Sequence, residues 1–191
     1  MIPAHDAQRG IAFLETLITI VIVALGLLGL AALHGRMQAA EMEAYQRAQA
    51  TVLLRDAVDR LHADGKNAMS YVTAQPLGTG RAVADCSALV GPELNLCEWN
   101  NALLGANATA AGNGVGAMIG ARGCIEVLQN TMPRQFRVSV AWQGLAETAA
   151  PQVSACGAGS YGDERRRRVA AAHVVIACLE NDAATGACVT P

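Results

Sequence analysis

An apolar run of about 20 residues that carries a single carboxylate is the feature that most constrains this chain. Residues 9 to 33 read RGIAFLETLITIVIVALGLLGLAAL, and Glu15 is the only acid among them. Such a run is long enough to cross a bilayer, and an ionised acid inside hydrocarbon costs a few kcal/mol. The acid therefore predicts a function, and it needs a positively charged partner.

The length and composition of the whole sequence predict one domain with a modest core. The chain has 191 residues, of which 52% are hydrophobic and 4% aromatic, and its net charge is −2. A chain this close to neutral has no global field that would attract nucleic acid or acidic lipid. No HExxH, serine–histidine elbow or carboxylate pair is evident, so the sequence predicts no enzyme, no metal and no cofactor.

The residues before the apolar run differ from an ordinary secretory signal, whose apolar stretch is only about 7–15 residues long. Here a polar leader ends in Gly10, and the longer run follows at once. The segment from Gly10 to Glu15, GIAFLE, resembles the class III signal of the type IV pilin family. The resemblance implies that a prepilin peptidase cuts between Gly10 and Ile11 and methylates the amine of Ile11. It also implies that Glu15 is the family's assembly glutamate, although Ile11 stands where Phe or Met is more usual.

Two interpretations of Glu15 differ in where the acid finds its partner. In the first, the cationic amine of a neighbouring subunit pairs with Glu15 inside an apolar helix bundle and sets the register between subunits. In the second, Glu15 lies at the membrane interface, where the helix dipole favours an acid near the N-terminus. Gly10, at the cleavage offset, favours the first.

The helix is expected to continue well past the apolar run. Small or apolar residues recur at three- and four-residue steps, namely Met37, Ala40, Ala44, Ala48, Thr51, Leu54, Val58 and Leu61. Glu43 and Arg47 have the i,i+4 spacing of an ion pair. No proline interrupts the stretch, and Gly65 is predicted to end it.

The part of the chain beyond this helix is predicted to hold a small antiparallel sheet. Turns are predicted at Gln75–Gly78 and Gly91–Pro92, and a short helix over residues 97–104. Strands are predicted at Cys124–Gln129, Arg134–Gln143 and Val169–Cys178, with a hairpin between the first two. Alternation along the second strand predicts that one of its faces is buried.

These patterns together predict an α+β fold like that of the type IV pilins. A long N-terminal α-helix, transmembrane in its first half, packs on a small antiparallel β-sheet head. The predicted segments are a removed leader at residues 1–10, a transmembrane or filament-core helix at 11–35, the amphipathic half of the helix at 36–65, and a disulfide-bearing periplasmic head at 66–191.

Six cysteines, all beyond the apolar run, predict disulfides in an oxidising compartment. Six cysteines allow fifteen complete pairings. Pairing in sequence order, Cys86–Cys97, Cys124–Cys156 and Cys178–Cys188, is the one we select. No CxxC motif is present, which disfavours both a thiolate metal site and a redox-active pair.

Two polar or glycine-rich stretches in the head have competing interpretations. Arg165, Arg166, Arg167 and Arg168 would form a patch for an acidic partner or for phosphates, or else a solvated loop edge before a strand. Nucleic acid is therefore disfavoured but still open. The stretch from Ala110 to Gly123 holds five glycines, but because no GK[ST] follows, a flexible connection is favoured over a phosphate loop.

Further stretches resemble the PilV family of minor pilins, also called type IV pilus modification proteins. They include residues 26–31, 54–61, 97–100 and 138–143. The resemblance implies a low-abundance subunit that primes pilus assembly with other minor pilins and stays at or near the tip. The implied partners are other minor pilins, the major pilin, prepilin peptidase, the inner-membrane assembly platform and a tip adhesin. The implied location is the inner membrane, single-pass with a periplasmic head, and then the pilus.

Two alternatives stay open. A minor pseudopilin of type II secretion shares the signal and the helix, but the clustered acids that often bind calcium in pseudopilin heads do not stand out here. A membrane-tethered periplasmic binding protein or enzyme would use the helix as an anchor only, and would keep residues 1–10 in the mature chain.

Overall fold

A computed structural model of the chain shows a long N-terminal apolar helix, a shorter helix and a four-stranded antiparallel sheet. It describes residues 6–106, 109–110, 113–114, 118–178, 180–181 and 188–190, with side chains for 12–106 and 118–178. The chain divides into two compact units, Met1–Met42 and Glu43–Pro191. The α+β prediction is confirmed at this level.

The first helix, α1, runs from Asp6 to Ala63. Its continuity is expected, because no proline or turn motif interrupts it, and the prediction of one long helix is confirmed. α1 ends two residues before Gly65, close to the predicted stop. Gly65 begins a 3-10 segment, Gly65–Tyr71, in which Ala68 and Tyr71 are buried. Burial of these two side chains draws the chain into the core directly after α1.

The four strands of the larger sheet are β1 (Leu77–Gly78), β4 (Arg122–Gln129), β5 (Arg134–Gln143) and β6 (Arg167–Ile176). They are adjacent in this order, and the sheet is antiparallel throughout. β5 has the predicted bounds, and a turn with a cis Met132–Pro133 bond joins it to β4. β6 begins two residues before the predicted Val169. Two short two-stranded pairs, β2 (Thr109–Ala110) with β3 (Asn113–Gly114) and β7 (Glu180–Asn181) with β8 (Cys188–Thr190), complete the strands described.

The second helix, α2, spans Gly91–Leu103 and begins earlier than predicted. The turn prediction for Gly91–Pro92 is wrong. Proline fits the first turn of a helix because its fixed φ is helical and its missing N–H would have no partner there. Gly91, with φ of +59°, makes the entry.

The core of the second unit lies between the C-terminal part of α1, α2 and one face of the sheet. α1 contributes Ala50, Leu54, Ala57 and Leu61, and β5 contributes Phe136, Val138, Val140 and Trp142. The predicted stripe on α1 is right at Leu54 and Leu61. It is wrong at Ala44 and Ala48, which are exposed, whereas Gln46 is buried.

The second face of β5 is buried as well, so the prediction of a half-buried strand is wrong there. Ser139 and Ala141 have no exposed surface. Ala141 packs in a second cluster with Cys124, Cys156 and Tyr161. The loop between β5 and β6 therefore covers the face that alternation assigns to solvent.

Two disulfides brace the second unit, and they join the pairs selected from the sequence. Cys86 is bonded to Cys97 on α2, and Cys124 on β4 is bonded to Cys156 in the loop between β5 and β6. Cys178 is also disulfide-bonded. The predicted Cys178–Cys188 pair involves Cys188, whose side chain lies outside the described part.

Candidate functional site in the N-terminal helix

The apolar half of α1 presents its large side chains to the surroundings on every side. Between residues 12 and 33, thirteen large apolar side chains are each at least 45% exposed: Phe13, Leu14, Leu17, Ile18, Ile20, Val21, Ile22, Val23, Leu25, Leu27, Leu28, Leu30 and Leu33. An 18-residue window of this helix has a mean hydropathy of 2.7 and no buried residue. By length and composition, the helix could span a membrane.

The magnitudes favour an apolar environment for this segment despite its acid. Each of these side chains has roughly half its surface in contact with water, so its removal from water gains on the order of 1 kcal/mol. One ionised carboxylate costs only a few kcal/mol on insertion scales. The summed free-energy gain from the thirteen side chains therefore exceeds the cost of the one carboxylate.

Glu15 has no partner among the side chains that the structure describes. It is exposed, and neither a hydrogen bond nor an ion pair to it is found in residues 12–106 and 118–178. Thr16 and Thr19 lie beside it, but their hydroxyls donate to helix carbonyls, Thr16 to Ala12 O and Thr19 to Thr16 O at 2.8 Å. Glu15 is therefore the one polar side chain from 12 to 33 that is not satisfied within the helix.

Two glycines leave a gap between the side chains on one face of this segment. Gly26 and Gly29 are three residues apart, which places them on one face of α1. A Cβ built at either position meets nothing within 4 Å. Since no neighbour among the described residues requires glycine there, the face is suited to the close approach of another helix.

The residues of the predicted cleavage site lie in the first turns of α1. The backbone of Gly10 and Ile11 is helical, and the side chain of Ile11 is outside the described part. Glycine weakens a helix by about 1 kcal/mol relative to alanine. Gly10 therefore lowers the cost of unwinding the helix around the peptide bond that the predicted protease would cut.

The four consecutive arginines do not share one exposed surface: Arg165 and Arg166 are exposed, whereas Arg167 and Arg168 are largely covered. Binding of a partner there stays a prediction. Arg167 is buried, and it donates to Glu164 at 2.6 Å, Ser154 O at 2.8 Å and Pro151 O at 3.1 Å. Such a side chain binds its own loop and is not available to a partner.

The other three arginines also have acceptors within the chain. Arg168 pairs with Glu43 at 2.6 Å. Arg165 binds Asp163 at 2.6 Å and Glu147 at 3.1 Å, and Arg166 lies 3.7 Å from Glu147. The guanidinium of Arg165 holds the pKa of Asp163 below its ordinary value. The four arginines are consecutive in the sequence, but their side chains pair with different acids of the same chain.

Sequence reasoning missed a second group of polar residues, around Glu43 and Trp142. Glu43 is on α1, Trp142 at the end of β5 and Arg168 near the start of β6, and all three line one pocket. The only local signal was the spacing of Glu43 and Arg47, which pointed to a different ion pair. Within the described residues, no group of three or more His, Cys, Asp or Glu side chains is arranged to hold a metal ion.

Comparisons with known proteins add no relative. No protein family model, no curated protein and no solved structure matches this chain.

Proposed function

We propose that this chain is a minor type IV pilin. The protein is inserted in the inner membrane through α1, cut between Gly10 and Ile11, methylated at Ile11, and then extracted into a pilus. There it serves as an initiating or tip-proximal subunit among other minor pilins. The observation that carries the proposal is the unpaired Glu15 on an uncovered apolar helix, directly after the Gly10–Ile11 site.

Glu15 would act by finding its counter-charge on another subunit. Cleavage after Gly10 creates an amine at Ile11, and methylation leaves that amine cationic. An amine from a neighbouring helix would neutralise Glu15 in the apolar bundle. An ion pair in such surroundings fixes the register between two helices, because a shift of one helix along the other would leave the buried charges without their partners.

The exposed apolar side chains would supply cohesion, first with lipid and then with other helices. Gly26 and Gly29 would allow two helices to approach closely. The second unit would present its surface to neighbouring subunits, and its two described disulfides suit an oxidising compartment outside the cytoplasm. In this proposal the protein acts by non-covalent association with other subunits.

A substitution of Glu15 tests the proposal, with Glu41 as the matched control. Both are exposed acids on α1, but Glu41 lies beyond the apolar run. In a host that lacks its own copy of the gene, Glu15→Ala should enter the membrane and be cleaved, yet be depleted from sheared pili. Glu41→Ala should be recovered in pili as the wild type is. Recovery of Glu15→Ala from pili at the wild-type level would contradict the assembly role of Glu15.

A further inference from the structure

We propose that the free edge of β6 pairs with the same strand of a second copy of this chain, in an antiparallel, two-fold symmetric ribbon. β6 is the last strand of the larger sheet, and its ladder to β5 is on one side only. The strand lies wholly within the second unit, so the inference does not depend on the proposed pilin function.

The backbone of β6 presents hydrogen-bonding groups without partners along its outer side. Alternate residues of an edge strand direct their N–H and C=O groups away from the neighbouring strand. Within the described part of the chain, the backbone of residues 169–176 bonds to β5 and to no other segment. The ten residue pairs between β5 and β6 run without a register shift, so no bulge interrupts the free edge. A row of such groups is best satisfied by another extended strand.

The side chains along this edge do not protect it from pairing. Edge strands are commonly blocked by lysine, proline or a bulge. The sequence of residues 169–176 is VAAAHVVI, in which His173 is the only ionisable residue. His173 and Val175 are exposed, Val175 to 49%. Eight consecutive residues without lysine, arginine, acid or proline therefore favour association through this edge.

The sequence of β6 is complementary to itself when a two-fold axis passes through Ala172. An interface of this symmetry brings the same strand of both copies together. Ala171 then lies opposite His173 of the second copy. Ala170 likewise lies opposite Val174 of the second copy. Small side chains thus face larger ones on both faces of the ribbon, and the two strands can approach closely.

The two neighbouring registers are less favourable. A two-fold axis at His173 would bring the imidazoles of both copies directly opposite each other. An axis at Ala171 would place Val175 opposite Arg167 of the second copy. Only the axis at Ala172 keeps apolar side chains opposite one another without pairing identical polar ones.

The charges at the start of β6 favour the antiparallel direction. Arg167 and Arg168 begin the strand, and parallel pairing would place the arginines of both copies side by side. In the antiparallel ribbon, Arg168 lies opposite Ile176 of the second copy. The two copies of Arg168 are then eight positions apart along the ribbon, which is about 26 Å at about 3.3 Å per residue. This separation exceeds the screening length of about 8 Å at physiological salt.

Cysteine cross-linking of the full-length protein in detergent micelles tests the strand and its register. In Ala172→Cys the two thiols face each other across the axis, so mild oxidation should give a covalent dimer on a non-reducing gel. Ala170→Cys is the matched control, since both alanines are half-buried on the same face of β6. Its two copies would be four positions apart, about 13 Å, whereas a disulfide needs Cα atoms within about 7 Å. Ala170→Cys should therefore stay monomeric, as should the wild type run beside it.

Two lysine variants test the edge without an added thiol. Val175 on β6 and Val127 on β4 are both exposed valines of the larger sheet, but only Val175 is on the free edge of β6. A lysine at position 175 would lie opposite Val169 of the second copy and near its Arg168. Val175→Lys should raise the dissociation constant of the dimer roughly tenfold, because like charges across a strand pair destabilise it. Val127→Lys should dimerise as the wild type does.

Sedimentation equilibrium of the wild type and the two lysine variants, over a series of concentrations, gives the dissociation constants. A wild-type protein that stays monomeric throughout would overturn the proposal and leave the edge to a strand of another protein. Equal cross-linking of the two cysteine variants would also overturn it. So would equal dissociation constants for Val175→Lys and Val127→Lys, since a dimer held by α1 alone would be insensitive to both substitutions.

Discussion

The carboxylate of Glu43 and the guanidinium of Arg168 form an ion pair of 2.6 Å between residues 125 positions apart in the chain. Arg168 also donates to Ala146 O at 2.7 Å and to Arg165 O at 2.9 Å. Gly144 leaves room for it, since a Cβ at that position would lie 2.6 Å from Arg168 Cζ. Glu43 is the first residue of the second unit, and this contact joins that part of α1 to the β5–β6 loop and to β6.

Loss of this ion pair should destabilise the second unit. Glu43→Gln keeps the size of the side chain but leaves Arg168 without its anion, so the free energy of unfolding should fall by about 1–3 kcal/mol. Denaturation of the full-length chain in mild detergent, followed by tryptophan fluorescence, measures the change. Glu41→Gln, on an exposed position of the same helix, should be within about 0.5 kcal/mol of wild type. Equal stability of the two variants would contradict a stabilising role for the Glu43–Arg168 ion pair.

Gly123 should not tolerate a methyl group. A Cβ there would lie 2.5 Å from Trp99 Cη2 and 2.6 Å from Leu103 Cδ1, both on buried side chains of α2. Gly123→Ala should therefore cost about 1–3 kcal/mol through overpacking. Gly35→Ala serves as the control because a Cβ at Gly35 meets nothing within 4 Å. Melting temperatures of the two variants give the comparison, and a Gly123→Ala protein as stable as wild type would contradict the packing described.

The two described disulfides should contribute unequally. Cys124–Cys156 spans 32 residues and its cysteines are buried, whereas Cys86–Cys97 spans 11 residues and is half-buried. Loop entropy predicts about 4 kcal/mol for the longer loop and about 3 kcal/mol for the shorter one. Paired Cys→Ala variants, compared by urea denaturation, should show a larger loss for the Cys124–Cys156 pair. The reverse order would mean that native packing, and not loop length, decides their contribution.

Stability should decrease in acid partly through Glu164. The N–H of Gly159 and the guanidinium of Arg167 hold the pKa of this carboxyl below its ordinary value of 4.5. A lowered pKa in the folded state means that ionised Glu164 stabilises the fold. This contribution is complete above pH 4.5 and is lost as the pH falls through the lower pKa of the folded protein.

The measurement for Glu164 is the stability of Glu164→Gln against wild type across pH. The two curves should differ at neutral pH and converge in acid, below both pKa values. A constant difference at all pH values would mean that the charge of Glu164 does not contribute.

The features that were predictable from sequence are those determined by neighbouring residues. α1 follows from an uninterrupted run without proline, and β5 from alternation between Arg134 and Gln143. Glu15 stands out because one acid interrupts an apolar run. Each signal is contained within the segment that it describes.

The errors occur where distant residues decide the outcome. Ala44 and Ala48 are too small for hydrophobicity to indicate which face of α1 is buried, and Gln46 and Ala50 are buried instead. Glu43 has a suitable partner one turn away in Arg47, yet it pairs with Arg168 because β6 brings that residue next to α1. The pocket at Trp142 draws on α1, β5, the loop after β5 and β6, and no local pattern contains it.

The most direct measurement of the central claim is the intact mass and N-terminal sequence of the protein purified from its native membrane or pili. The account predicts a mature chain that begins at N-methylated Ile11, lighter by residues 1–10 and heavier by one methyl group. A mature protein that retains residues 1–10, with an unmodified amine, would contradict it and identify α1 as a membrane tether.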